Sequence, residues 1–277
     1  MPEVVCRTLT REYRLVCPNP RVADALAFVA ATPEIVGADL ATTTLAVVEE
    51  QGFLRLQLPG GPRLEGDAGH IMSMLNSLFV RETLNVERGG ALVHCATVVH
   101  PGRPTARILV VGESGAGKTT LSLRLLDAGY AVEGDEQFIV WPNRAIARPR
   151  TLRVKGGSLA HVPRLAAAIA ASPRIEFRDG APLYAVDPAI AGRPWRIAEG
   201  GVEHVVFLEL NHGGRSHIKP IGAQEALRRL LAESSLPPGA VGQAVVRLRG
   251  ILAKARLHAL LLGDLGLALW QISNAIA

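Results

Sequence analysis

Cysteine is scarce in this 277-residue chain. Its three residues, Cys6, Cys17 and Cys95, are odd in number and scattered, with no CxxC spacing. Such a set argues against a disulfide framework and against a zinc site. Long apolar runs are missing too. No stretch approaches the roughly 18 apolar residues of a membrane span, and the best segment, Leu257 to Trp270, is broken by Gly263, Asp264 and Gly266. The opening MPEVVCRTLT lacks the basic head and apolar stretch of a signal peptide. Charge of one sign is not gathered anywhere. The 30 basic residues outnumber the 25 acidic ones but are spread along the chain, so a pI near 9.5 is weak evidence for a nucleic-acid partner. Lysine is rare, at four of those 30 (Lys118, Lys155, Lys219 and Lys254), so a lysine here is less often filler. These absences leave a soluble cytoplasmic protein, with no nucleic-acid or membrane partner, as the expectation.

What is present suits a packed fold. Apolar residues are 48% of the chain, charged residues 20%, and no low-complexity tract suggests disorder. The length allows one large domain, or a main domain with an accessory one. Residues 1–88 predict short mixed α+β elements. These are a strand over Val4 to Val16, a helix over Arg21 to Ala31 behind Pro20, and strands Thr42 to Glu49 and Phe53 to Leu58 around a Glu50-Gln51-Gly52 turn. A helix capped by Asp67 should run to about Leu84, with Ile71, Met74, Leu75 and Leu78 on one face.

Residues 89–277 carry more buried-strand signals. Ala91 to Val99 is apolar and β-branched, His100 to Thr105 is turn-like, and Ala106 to Val111 is a short continuous apolar run suited to a central strand. A helix from Lys118 to Ala128 should end at Gly129. Strands Tyr130 to Val132 and Phe138 to Trp141 frame the acids Asp135 and Glu136. Val202 to Leu210 and His217 to Pro220 predict strands. Gln224 to Glu233, Val241 to Arg256 and Gly263 to Ile276 predict helices. The mixture predicts an α/β core.

The apolar run Ala106–Val111 leads into Gly112-Glu-Ser-Gly-Ala-Gly-Lys-Thr119, which fits G-x-x-x-x-G-K-[ST] between a strand and a helix. With this composition the four fixed positions match by chance in roughly one such sequence in several hundred. Glycines permit backbone angles that turn consecutive N–H groups toward one anion, and the helix opening at Lys118 adds its positive end. The expected nucleotide contacts are Gly112, Glu113, Ser114, Gly115, Ala116, Gly117, Lys118, Thr119 and Thr120. Lys118 would reach the β- and γ-phosphates of ATP, and Thr119 would ligate Mg²⁺. No N/T-K-x-D base-reading motif and no LSGGQ-like signature is present, which argues against a GTPase and an ABC-type ATPase. Asp135 and Glu136 follow Lys118 by 17 and 18 residues, earlier than the acid of large motor ATPases. An acid so placed suits a small phosphotransferase, where it holds Mg²⁺ or accepts a hydroxyl proton.

The run Leu92-Val-His-Cys-Ala-Thr97, followed by VVGESGAGKTTLSLRLLDAGYAVEGDEQFIV, resembles the HPr kinase/phosphorylase superfamily, and within it the bacterial HPr kinase-related proteins. The match is good over Leu92 to Ser158 and loose elsewhere. It implies a P-loop kinase core of the HPr kinase/PEP carboxykinase-like type, spanning 89–277, behind a small N-terminal α+β region. By resemblance His94 occupies the family's histidine before the loop. Lys118 and Thr119 match its lysine and metal-binding hydroxyl, and Asp135-Glu136 stands for its Asp-Asp pair, with Asp135 a metal ligand and the catalytic base either Glu136 or Asp135. Arg153 stands where the family signature has a metal-binding glutamate, and Lys155 where it has an arginine. Lys155 would then contact phosphate or substrate. The resemblance implies ATP-dependent phosphorylation of a hydroxyl, on a serine of a protein or peptide, with Glu136 helped by His94. A nucleotide-binding accessory protein with little catalysis, or a kinase of a small molecule such as free serine, remains open. HPr kinases assemble as hexamers, so a homo-oligomer is compatible, but no residue pattern here specifies one. His204, His212 and His217 fit strand-edge histidines better than metal ligands. Arg228, Arg229, Arg247 and Arg249 are expected on solvated helix faces.

Overall fold

The computed structural model describes residues 1–85, 90–176 and 180–276, and shows a mixed α/β fold with several sheets. The expected boundary at 88/89 lies outside the described residues. Among the described residues no helix is long and apolar enough to cross a membrane.

The stretch expected as one strand over Val4 to Val16 is a hairpin of Glu3–Arg7 and Arg11–Val16. Thr8 makes its turn. Its amide and hydroxyl donate to the Arg11 carbonyl at 2.8 and 3.1 Å, and its oxygen accepts the Arg11 amide at 3.1 Å. Helix Pro20–Leu26 is shorter than expected and continues as a single-turn 3₁₀ segment, Ala27–Val29. It begins at Asn19, whose side chain accepts the Val22 amide at 3.0 Å. Strand Ala41–Glu50 runs parallel to Arg11–Val16, then reverses through Gln51 and Gly52, both at positive φ as a tight hairpin requires, into Phe53–Gln57. Arg63–Gly66 completes this five-stranded sheet. Asp67 accepts the His70 amide at 2.8 Å at the head of helix Ala68–Asn85, which buries Ile71 and Leu75 in a core of its own with Leu15, Leu26, Leu45 and Leu56.

The central sheet has six strands, in the order Ala131–Gly134, Cys95–His100, Arg103–Val111, His204–Leu210, Arg256–Leu262 and His217–Pro220. Arg103–Val111, His204–Leu210 and Arg256–Leu262 are mutually parallel. Arg103–Val111 is buried on both faces: Ile108 and Val110 join one apolar cluster, Leu109 and Val111 the other. Leu121 and Leu125 of helix Lys118–Asp127 are fully buried in the first cluster, where truncation to alanine costs about 2–5 kcal/mol each. One expectation is corrected here. The helix Val241–Leu252 stops short of Arg256, and Arg256–Leu262 is a strand before helix Leu265–Ile276. A short apolar run does not distinguish buried strand from helix by periodicity, and here parallel pairing with His204–Leu210 decides it.

Two crossings between sheets position the site. Ala91–Val93 belongs to a second sheet, with Phe138–Val140, Ala145–Ala147 and Ser234–Ser235, while Cys95–His100 belongs to the central one. The chain changes sheet at His94. It changes again between Gly134 and Phe138, at Asp135-Glu136-Gln137. Each crossing joins strands that pair with those of the other, so His94 and the acids lie at neighbouring switch points. Arg107 and Glu133 brace this arrangement with a buried bidentate pair at 2.7 and 2.9 Å. The Arg107 guanidinium also donates to the carbonyls of Ala198 and Gly201.

Candidate functional site

The loop Gly112–Gly117 joins strand Arg103–Val111 to helix Lys118–Asp127. Gly115 and Gly117 sit at φ of 87° and 91°, where other residues are strained, and a Cβ on Gly117 would lie 2.8 Å from the Leu262 side chain. The Ala116 amide donates to the Glu113 carbonyl at 3.0 Å. Lys118 is buried and folded back onto its own loop, donating to the carbonyls of Gly112 at 2.5 Å and Glu113 at 3.0 Å. Burial pushes its pKa down. Glu233, then Cys95, Glu136 and Asp135, pull the other way.

Thr119, one residue on, donates its hydroxyl to Asp135 Oδ2 at 3.0 Å. Asp135 is buried, and its Oδ1 has no hydrogen-bond partner among the described residues. Desolvation raises its pKa, with Arg150 opposing and Glu136 adding to the rise. The sequence spacing thus corresponds to a direct contact between loop and acid. Hard oxygen donors, one of them an orphaned buried carboxylate oxygen, match the coordination chemistry of Mg²⁺, so Thr119 and Asp135 fit the expected ion. Among the described residues no group of three or more His, Cys, Asp or Glu is gathered as a metal site.

The other expected residues have partners that sequence reasoning missed. His94 Nδ1 is 3.2 Å from Glu233 Oε2, and the His94 amide donates to the Glu233 carbonyl at 2.7 Å. Strand Ser234–Ser235 pairs with Leu92 and Val93 and carries Glu233 there from 139 residues away, a proximity no local pattern encodes. Glu136 is held by Arg150, Nη1 to Oε2 at 2.7 Å. His94 and Glu136 are therefore each engaged with a third residue. Thr120 Oγ1 lies 3.2 Å from Ser158 Oγ. Ser158 belongs to the 3₁₀ segment Gly156–His161 that follows strand Leu152–Lys155, whose last residue, Lys155, is exposed.

Beside the loop lies a cavity of about 380 Å³, lined by Gly112, Glu113, Ser114 and Ala116 and by Phe207 to Leu210, Arg228, Arg229 and Glu233. Its size is that of a small-molecule site. Arg229, expected on a solvated face, lines this cavity and is paired with Glu209 and with Glu225. His204 is buried and stacked on His258 at 5.8 Å between ring centroids, away from His212 and His217. Burial, with His258 and Arg256 beside it, lowers its pKa to about 4.

Arg148, Arg150 and Arg153 gather in one small cleft, with Arg150 paired to Glu136. Arg148 Nη2 donates to Asn76 Oδ1 at 2.9 Å, and Arg153 Nη1 to the Phe28 carbonyl at 2.7 Å, with its guanidinium 3.7 Å over the Phe28 ring. The N-terminal region thus closes directly over this part of the core.

No protein-family model matches the chain, and no curated protein matches it. Among solved structures it is similar to the HPr(Ser) kinase/phosphatase from Coxiella burnetii, at 14% identity and a TM-score of 0.31, over 66% of this chain and 95% of that one. At that score the likeness carries no argument about the site, and the chemistry rests on the residues themselves.

Proposed function

We propose that this chain is an ATP-dependent kinase, with a P-loop core of HPr kinase-like type, that phosphorylates a serine hydroxyl of a protein or peptide. The observation that carries this reading is the 3.0 Å contact from Thr119 to Asp135, made at the head of a glycine loop with a buried lysine. The loop amides and Lys118 bind the phosphates, with Lys118 exchanging the Gly112 and Glu113 carbonyls for β- and γ-phosphate oxygens. Thr119 and Asp135 would hold Mg²⁺, which would supply positive charge to offset that developing on those oxygens. Glu136 takes the proton of the acceptor hydroxyl as the new oxygen–phosphorus bond forms and the bond to ADP breaks. Arg150 must first release its carboxylate, because an ion-paired carboxylate is a weaker base. Glu233 orients His94 beside Lys118. Positioning and charge stabilisation supply most of the rate in such a transfer.

The test is incubation with γ-labelled ATP and serine peptides. Label reaching serine, and lost in Glu136→Gln, supports the kinase. A second reading, a nucleotide-binding regulatory protein with little catalysis, is favoured by one observation, the Arg150 ion pair that engages Glu136. Tight ATP binding with no transfer to any acceptor would establish that reading instead.

A further inference from the structure

Buried charges in proteins are normally paired, because an unpaired ion loses its hydration without recompense. The arginine cleft departs from this. Four guanidinium groups line it, and two are matched: Arg7 by Glu12 at 2.9 Å and Arg150 by Glu136. Arg148 and Arg153 meet only neutral oxygens, those of Asn76 and Phe28, and form no ion pair among the described residues. Arg148 is 4% exposed, yet its Nε and Nη1 have no acceptor, nor have the Nε atoms of Arg150 and Arg153. Burial, aided by Arg150, lowers the pKa of Arg148 to about 10 and of Arg153 to about 9. The fold therefore concentrates more donors and positive charge than the described residues supply acceptors for. Planar guanidinium forks bind carboxylate or phosphate oxygens in pairs.

We propose that Arg148, Arg150 and Arg153 form an oxyanion subsite whose cleft, with about 20 Å³ of free space, admits one or two oxygens of a carboxylate or phosphate borne by the phosphoryl acceptor, close to its reacting hydroxyl. The placement argues for the acceptor rather than the nucleotide. Arg150 pairs with Glu136, the carboxylate that takes the acceptor's proton, while Asp135 bonds Thr119 at the head of the loop helix. An anion drawn to Arg150 competes with Glu136 for the guanidinium, so binding an acidic acceptor frees the carboxylate that takes its proton. The cleft also gives the N-terminal region a role, since Asn76 and Phe28 fix two of the three guanidinium groups. Naming the acceptor as the source rests on the kinase reading; the anion site does not.

The test has two stages. In the full chain carrying Lys118→Ala, which removes the loop's side-chain charge and weakens its attraction for anions, titration calorimetry is run with inorganic phosphate and with malonate. Binding that weakens at least tenfold in Arg153→Gln and in Arg148→Gln supports the subsite. No binding, or equal binding in the variants, overturns it. Should a variant fail to fold, the anion-induced rise in melting temperature of the Lys118→Ala chain decides, and no rise overturns the site. In the second stage, otherwise natural chain is given γ-labelled ATP and serine peptides flanked by glutamate, phosphoserine or glutamine. A preference of tenfold or more for glutamate over glutamine identifies a carboxylate, and for phosphoserine a phosphate. Equal transfer to all three overturns the acceptor assignment. Anion binding without transfer to any peptide would leave the subsite standing and sink the kinase reading instead.

Discussion

Arginine is buried in two places in this protein, with opposite hydrogen-bond accounts. Arg107 lies inside the central sheet with a bidentate carboxylate and two carbonyls about it. Arg148 and Arg153 lie under the N-terminal region with one neutral acceptor each and several donors unmatched. The first arrangement is complete within the chain and braces the strands that lead to the loop and to the acids. The second is incomplete among the described residues, which is the signature expected of groups kept for a ligand. Lys118 is an intermediate case, buried but satisfied by carbonyls of its own flexible-angled loop.

The comparison can be broken at several points. Glu133→Ala leaves Arg107 buried without its counter-charge, and denaturant titration should show a loss of about 3–5 kcal/mol; a loss under about 1 kcal/mol would mean the pair is not the brace described. Lys118→Ala should lower transfer from labelled ATP on the order of 100- to 1,000-fold with little change in melting temperature, since its present partners are carbonyls of one loop. Asp135→Asn should divide function from stability. Its folded-state pKa is raised, so the folded chain holds the proton to higher pH than the unfolded chain does, and ionisation at neutral pH costs stability. The variant should melt higher than the parent while losing transfer; a lower melting temperature would contradict the unsatisfied state of that carboxyl.

Arg148→Gln sharpens the contrast with Glu133→Ala. Removing an unpaired buried charge should leave the melting temperature unchanged or raise it, whereas a marked fall would make Arg148 structural, like Arg107. The smallest effect belongs to His204. Its folded-state pKa lies below the unfolded value, so the unfolded chain takes up the proton first as pH falls. Stability contributed by the neutral ring is present above about 6.5 and lost on the way down to about 4. Melting curves at pH 7 and pH 5 should show a fall that is smaller in His204→Phe.

The glycine loop was legible in the sequence because its backbone angles, its lysine and its hydroxyl are neighbours along the chain. The acid Asp135 was legible at one remove, as the next strand end. The strand and helix boundaries were less so. Thr8 turned one expected strand into two, and parallel pairing made Arg256–Leu262 a strand where the expected helix had run to Arg256. Arg153 stood out in the sequence only as a departure from a family signature, which gave no hint that it stacks on Phe28.

By itself the sequence determined the loop, its strand and helix, and an acid at reach of Thr119, since these depend on local backbone freedom and on one short connection. Only the tertiary structure decided what surrounds them. Sheet pairing brought Glu233 to His94, and the packing of the N-terminal region onto the core set Asn76 and Phe28 against Arg148 and Arg153 without matching every guanidinium donor among the described residues. Both results depend on contacts between distant segments, where solvent exclusion turns ordinary polar residues into a site.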